Sequence, residues 1–187
     1  MMESAYLGMT LRSPLVASPS PSTGKLDTLL RLDDAGVGAV VLPSLFEEEV
    51  DRESITFSDR LDAGSGIFGE ATDYFPDLDL DHLGLERHIM LVEEAARRLS
   101  VPVIASLNGR SAGGWVRYAR DLVDAGARAI ELNMYDVAVD PEQTAADVEA
   151  AYLTLVAAVR EAVEVPVAVK LSPYFSSFAN FAAQVVA

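Results

Sequence analysis

Lys170 ends a short apolar run, Val165 to Val169, and is followed by Leu171-Ser172-Pro173-Tyr174-Phe175. Such a run predicts a strand buried on both faces, as in a parallel sheet. An ammonium among apolar side chains is costly unless something uses its charge. It could stabilise an anion. It could attack a carbonyl carbon as an amine, which needs a pKa depressed by burial or by a neighbouring cation. It could also pair structurally with Glu131. Glu131 and Asn133 stand two apart in Ala129-Ile130-Glu131-Leu132-Asn133 and so share one face of a predicted strand. That carboxylate needs a partner, and the Asn133 amide can both donate and accept. Ser106-Leu107-Asn108-Gly109 follows another apolar run and adds a hydroxyl and a second amide, although turn chemistry explains it equally well.

Other patterns carry less. Gly64-Ser65-Gly66-Ile67-Phe68-Gly69 has glycine spacing suited to a phosphate loop, but no apolar strand precedes it and no helix signal follows. Asp77, Asp79 and Asp81 alternate like the start of a calcium loop, yet His82 stands where the glycine belongs and His88 where the final glutamate belongs. His82 and His88 are six apart, poorly placed for one helix face, so no metal site is expected on them.

These residues need elements to hold them. A hairpin is predicted over 6–11, turning at Gly8, and a short strand over 15–17 leads into a Ser/Pro loop. Helical spacing over 25–35 stops at Gly36, and a buried strand over 39–42 closes at Pro43. A long irregular stretch from Ser44 to Leu80 reads as an excursion. Helix over 83–99, strand over 103–106, helix over 114–125 and strand over 129–133 follow. A long helix is predicted over 141–163, with Asp140 as its cap and Pro141 in its first turn. A strand over 167–170 and a helix from Ser177 complete the series. Repeated βαβ units give a parallel sheet, either open and doubly wound or part of a (β/α)8 barrel. A complete barrel takes about 250 residues, so a barrel truncated at its C-terminus is expected from these 187.

Composition bounds the function. Half of the residues are hydrophobic, which gives a globular chain with a sizeable core. The 29 acidic and 14 basic residues leave a net charge of -15, which disfavours nucleic acid and anionic lipid as partners. With no cysteine, disulfides, thiolate zinc sites and a cysteine nucleophile are excluded. No signal peptide or membrane span is visible, so a cytoplasmic protein is expected.

The strand-end motifs together resemble the dihydroorotate dehydrogenases, in particular the soluble class, which are FMN-containing (β/α)8 barrels. Ser13-Pro14-Leu15-Val16-Ala17-Ser18 is similar to the family's first strand and Ser106-Leu107-Asn108-Gly109 to its third-strand end. Glu131-Leu132-Asn133 is similar to its Glu-Leu-Asn, and Val169-Lys170-Leu171-Ser172-Pro173 to its Val-Lys-Leu-Pro-Pro. The resemblance implies one barrel domain over 1–187, made of the hairpin and the first five βα units. It implies an FMN oxidoreductase of pyrimidine biosynthesis acting on dihydroorotate or a related small molecule. Lys170 would contact the flavin, where a cation stabilises the reduced anion. Asn133 would bind flavin or substrate, Ala17 and Ser18 would pass the ring edge through their backbone, and Ser106 and Asn108 would line the pocket.

The departures fall mostly on substrate contacts. Pro43 stands where the family has a lysine, Ala138 where it has the asparagine that grips a carboxylate, and Ala71-Thr72-Asp73-Tyr74 replaces a segment containing another asparagine. The position of the family's serine or cysteine base falls on Asp136, the candidate base here. The family's phosphate loops follow later strands, so this chain alone is expected to hold FMN poorly. Two alternatives stand beside this reading: a Schiff-base lyase or aldolase using Lys170, and a non-catalytic half-barrel. Open strand edges make a homo-oligomer the expected state.

Overall fold

The computed structural model describes residues 2–46, 84–108, 112–134 and 137–187. The chain opens with an antiparallel hairpin, β1 (Ser4–Tyr6) and β2 (Met9–Leu11). Five parallel strands then alternate with helices. In chain order these are β3 (Val16–Ala17), α1 (Leu26–Asp34), β4 (Ala39–Phe46), α2 (Gly84–Arg98), β5 (Val103–Asn108), α3 (Ala112–Asp124), β6 (Ala129–Met134), α4 (Ala145–Ala162), β7 (Val167–Leu171) and α5 (Phe178–Val185). The spatial order of the sheet equals the chain order, β3-β4-β5-β6-β7. Each strand therefore adds to the same edge, as in a barrel wall, and the doubly wound alternative drops out.

Period-two alternation divides each strand between two environments. Val40, Leu42, Val103, Ala105, Leu107, Ile130, Leu132 and Met134 face a core built with Leu29, Val92, Trp115, Leu122, Val159 and Phe181 of the helices. Burying a leucine as fully as Leu132 contributes about 1.5–3 kcal/mol, and this face supplies many such side chains. The opposite face carries a smaller apolar cluster at the amino ends of the strands, made of Ala39, Val41, Ile104 and Ala129 with Leu11. Leu7, Met9 and Val16 pack on it, so the hairpin covers that end. Two residue pairs further along β5 and β6, the same face carries Ser106 and Glu131. An apolar layer thus lies beneath a polar one.

Two elements depart from the sequence reading. Strand β4 does not stop at Pro43 but runs on to Phe46. Its pairing with β5 breaks register between Val41 and Ser44, and such an irregularity accommodates a residue with no N–H. Helix α4 begins after Thr144, not at Pro141. Asp140 instead closes a turn, accepting from the Glu142 and Gln143 amides. Thr144 and Asp147 form a capping box, with Asp147 N–H donating to Thr144 Oγ1 at 3.2 Å and Thr144 N–H to Asp147 Oδ2 at 2.9 Å. The Thr144 hydroxyl, which donates to Asp147 Oδ2 at 2.6 Å, and then the Thr144 amide hold the Asp147 carboxyl below its usual range.

Candidate active site

The polar layer sits at the carboxyl ends of the parallel strands. Ser106 pairs in register with Ser44 on one side and Glu131 on the other, and Asn133 pairs with Lys170. Lys170 reaches back along its strand, and its Nζ lies 3.3 Å from Glu131 Oε1. Ser106 Oγ donates to the same oxygen at 3.2 Å and shares a 2.8 Å hydrogen bond with Ser44 Oγ. One hydrogen-bonded row, Ser44–Ser106–Glu131–Lys170, therefore crosses four strands. Within the row Ser106 is 0% exposed and Ser44 is partly buried, whereas the Lys170 side chain is 41% exposed and Glu131's is 14%. A half-exposed ion pair of this kind contributes little to stability, on the order of 0–1 kcal/mol. Stability does not account for placing it here.

A cavity of about 490 Å³ lies between the hairpin and this layer, lined by Tyr6, Leu11, Val16, Ser18 and Val41 among others, and of the polar row only Glu131 reaches it. That volume lies in the range of small-molecule sites. Ser18 and Glu131 both line it. Ala17 is turned to the helix-side core, so only its backbone is free for a ligand. Asn108 ends β5 beyond Ser106 on the same face, opposite Phe46 in register. Asn133 lies beside Lys170, and its Oδ1 is closed off from solvent with no hydrogen-bond partner among the described residues. Asp136 lies outside the described residues, as do the excursion from residue 47, the glycine-rich segment at 64–69, the aspartates at 77–81 and His82.

Lys170, Glu131 and Ser106 stand out in the sequence, whereas Ser44 does not. Leu45 and Phe46 were the available signal, because apolar residues continue past Pro43. His88 belongs to helix packing. Burial and the neighbouring Arg87 charge push its pKa down to about 4, so it is neutral at pH 7. Among the described residues no cluster of three or more acidic, histidine or cysteine side chains could hold a metal ion, and no helix is long and apolar enough to cross a membrane.

No family model matches the chain. A curated protein of Aeropyrum pernix, provisionally named dihydroorotate dehydrogenase A (fumarate), is 31% identical over 97 residues, covering 47% of this chain and 29% of that protein. A provisionally assigned dihydrodipicolinate synthetase from Pseudomonas aeruginosa aligns with a TM-score of 0.52 at 20% identity, covering 92% of this chain and 51% of that one. Dihydrodipicolinate synthase from Oceanobacillus iheyensis aligns with a TM-score of 0.51 at 12% identity, covering 90% of this chain and 48% of that one. The chain spans about half the length of these solved structures and less than a third of the curated protein. The likeness to dihydroorotate dehydrogenase covers a segment, whereas the likeness in fold covers nearly the whole chain. With its hairpin and five βα units in barrel order, the chain has the fold of part of a (β/α)8 barrel.

Proposed function

We propose that the chain carries the lysine centre of a (β/α)8-barrel enzyme, in which the Lys170 amine forms an imine with the carbonyl of a small substrate. The observation that carries this reading is the shared oxygen: Lys170 Nζ and Ser106 Oγ both bond Glu131 Oε1. A nucleophile, a base within reach and a third group on the base make up the constellation expected of covalent catalysis. The Lys170 ammonium gives a proton to the Glu131 carboxylate, and the neutral amine adds to the carbonyl carbon. The resulting carbinolamine takes the proton back on its hydroxyl and loses water. The iminium then withdraws electrons from the neighbouring carbon, which eases bond cleavage or proton loss there. The fold likeness supports the scaffold, and the chemistry rests on the polar layer. Self-association belongs to the same proposal, because β7 leaves an unpaired strand edge among the described residues.

A second reading is the flavin oxidoreductase. The 97-residue likeness and the unpartnered Asn133 Oδ1 favour it. A half-exposed lysine and a free amide carbonyl suit the polar edge of a flavin ring. FMN, when bound, would supply the hydride acceptor. Lys170 would hold negative charge on the reduced ring, Asn133 would accept from a ring N–H, and Ser18 would border the cavity.

Borohydride in the presence of small aldehydes and 2-oxo acids separates the two. The imine reading expects a reduced, stable adduct. A protein that forms none and purifies yellow with bound flavin sustains the second reading instead.

A further inference from the structure

We propose that Ser106, backed by Ser44, is a positioning residue that holds Glu131 Oε1 against Lys170 and sets the pH at which that pair works. The inference rests on the lysine reading and assigns roles that the reading does not require. Ser106 is fully buried on a strand whose neighbouring positions are apolar, where an alanine would pack as well. A buried hydroxyl is costly unless bonded. Both of its bonds go to members of the layer, Ser44 at 2.8 Å and Glu131 at 3.2 Å. A hydroxyl has one proton. Since Ser106 gives its proton to Glu131, Ser44 gives its own to Ser106. The row therefore has a direction, with two hydroxyl dipoles pointing at one carboxylate oxygen, and successive bonds of this kind reinforce one another.

A donor on a carboxylate favours its charged form. The titratable groups facing Glu131 among the described residues are Lys170 on β7 and, across the cavity, Tyr6 on β1. Loss of the Ser106 donor then has a definite sign. The carboxylate is protonated more readily, so the acid limb of the pH–rate profile for imine formation moves to higher pH. The carboxylate is also no longer aimed at the amine, and misplacement of a catalytic group costs roughly 10–100-fold in rate.

The test uses the full chain and glyoxylate as the carbonyl probe. The rate of borohydride-trapped adduct on Lys170 is measured across pH for wild type, Ser106→Ala, Ser106→Thr and Ser44→Ala. The positioning role expects Ser106→Ala to be slower, with the acid limb moved up. Ser106→Thr, which keeps the hydroxyl, restores the wild-type limb, and Ser44→Ala gives a smaller shift of the same sign. Unmoved limbs in both alanine variants, each folded by circular dichroism, overturn it. A second readout needs no imine. The chain has two lysines, Lys25 and Lys170, so acetic anhydride labelling across pH reports Lys170 against an internal reference. The inference expects the Lys170 labelling midpoint to fall in Ser106→Ala, because its ammonium loses a fixed carboxylate. An unchanged midpoint overturns it. If wild type traps no adduct while the midpoint still falls, the lysine reading fails and the positioning role stands.

Discussion

At the residue scale, Glu131 explains Lys170. A carboxylate that is largely buried needs charge-assisted bonds, and it takes one from Lys170 and one from Ser106. The lysine remains open enough to meet a ligand, which a purely structural pair would not require. Glu131→Gln keeps the shape and removes the base, so trapping on Lys170 is expected to fall by about 100-fold or more while the folded spectrum is retained. His88 gives a separate prediction. Its folded pKa of about 4 lies below the ordinary 6.5, so the unfolded chain binds the proton more readily. Stability is therefore full above pH 6.5 and falls as the pH drops from 6.5 toward 4, by on the order of 2–3 kcal/mol. Urea denaturation at pH 7, 5 and 4 checks this, and His88→Leu should flatten the trend across that window. An equal slope in the variant refutes the assignment.

At the element scale, the sheet can hold the polar layer because the strand ends differ in chemistry from the strand starts. The pair Glu131 and Lys170 was legible from sequence, since each is a charge inside an apolar strand. The contribution of Ser44 was not. Proline normally ends a strand, and only the register irregularity between Val41 and Ser44 lets β4 continue and bring that hydroxyl to Ser106. The start of α4 was misplaced for a similar reason: Asp140-Pro141 is a good helix opening, yet the Thr144–Asp147 box competes and wins. At the other end of the sheet, Gly38 permits a close crossing. Its N–H bonds Leu15 O at 2.7 Å, and a Cβ there would overlap the Ser13 carbonyl oxygen. Backbone cannot yield as a side chain can, so Gly38→Ala is expected to destabilise by about 1–3 kcal/mol, read as a lower urea midpoint. A midpoint equal to that of wild type contradicts the crossing.

At the scale of the whole molecule, the hairpin is fastened to the barrel wall by one charged clasp. Arg12 Nε donates to Val37 O at 2.8 Å, its Nη1 to Ser100 Oγ at 3.1 Å and its Nη2 to Asp33 Oδ1 at 2.6 Å. Ser100 bonds Asp33 through its amide and its hydroxyl, both at 2.7 Å. Burial pushes the Asp33 carboxyl up, but the two Ser100 bonds and Arg12 together bring it below its ordinary 3.8. Stability from this carboxylate is thus present above pH 3.8 and lost as the pH falls from there through the folded value, a window below that of His88. Asp33→Asn should remove this lower acid step and leave the upper one, and loss of neither step refutes the clasp. Nothing in the sequence announced it, because Arg12 and Ser100 are 88 residues apart and meet only through the fold. The order of elements was readable because each βα unit repeats the same switch of hydrophobic period. The central claim is that Lys170 acts as an amine nucleophile with Glu131 beside it as the proton acceptor. Its most direct test is peptide mass spectrometry after borohydride reduction with glyoxylate, comparing the only two lysines of the chain, Lys25 and Lys170. The expected result is an adduct on Lys170 well in excess of that on Lys25, abolished by Lys170→Arg. Equal labelling of the two lysines, or none on Lys170, contradicts it.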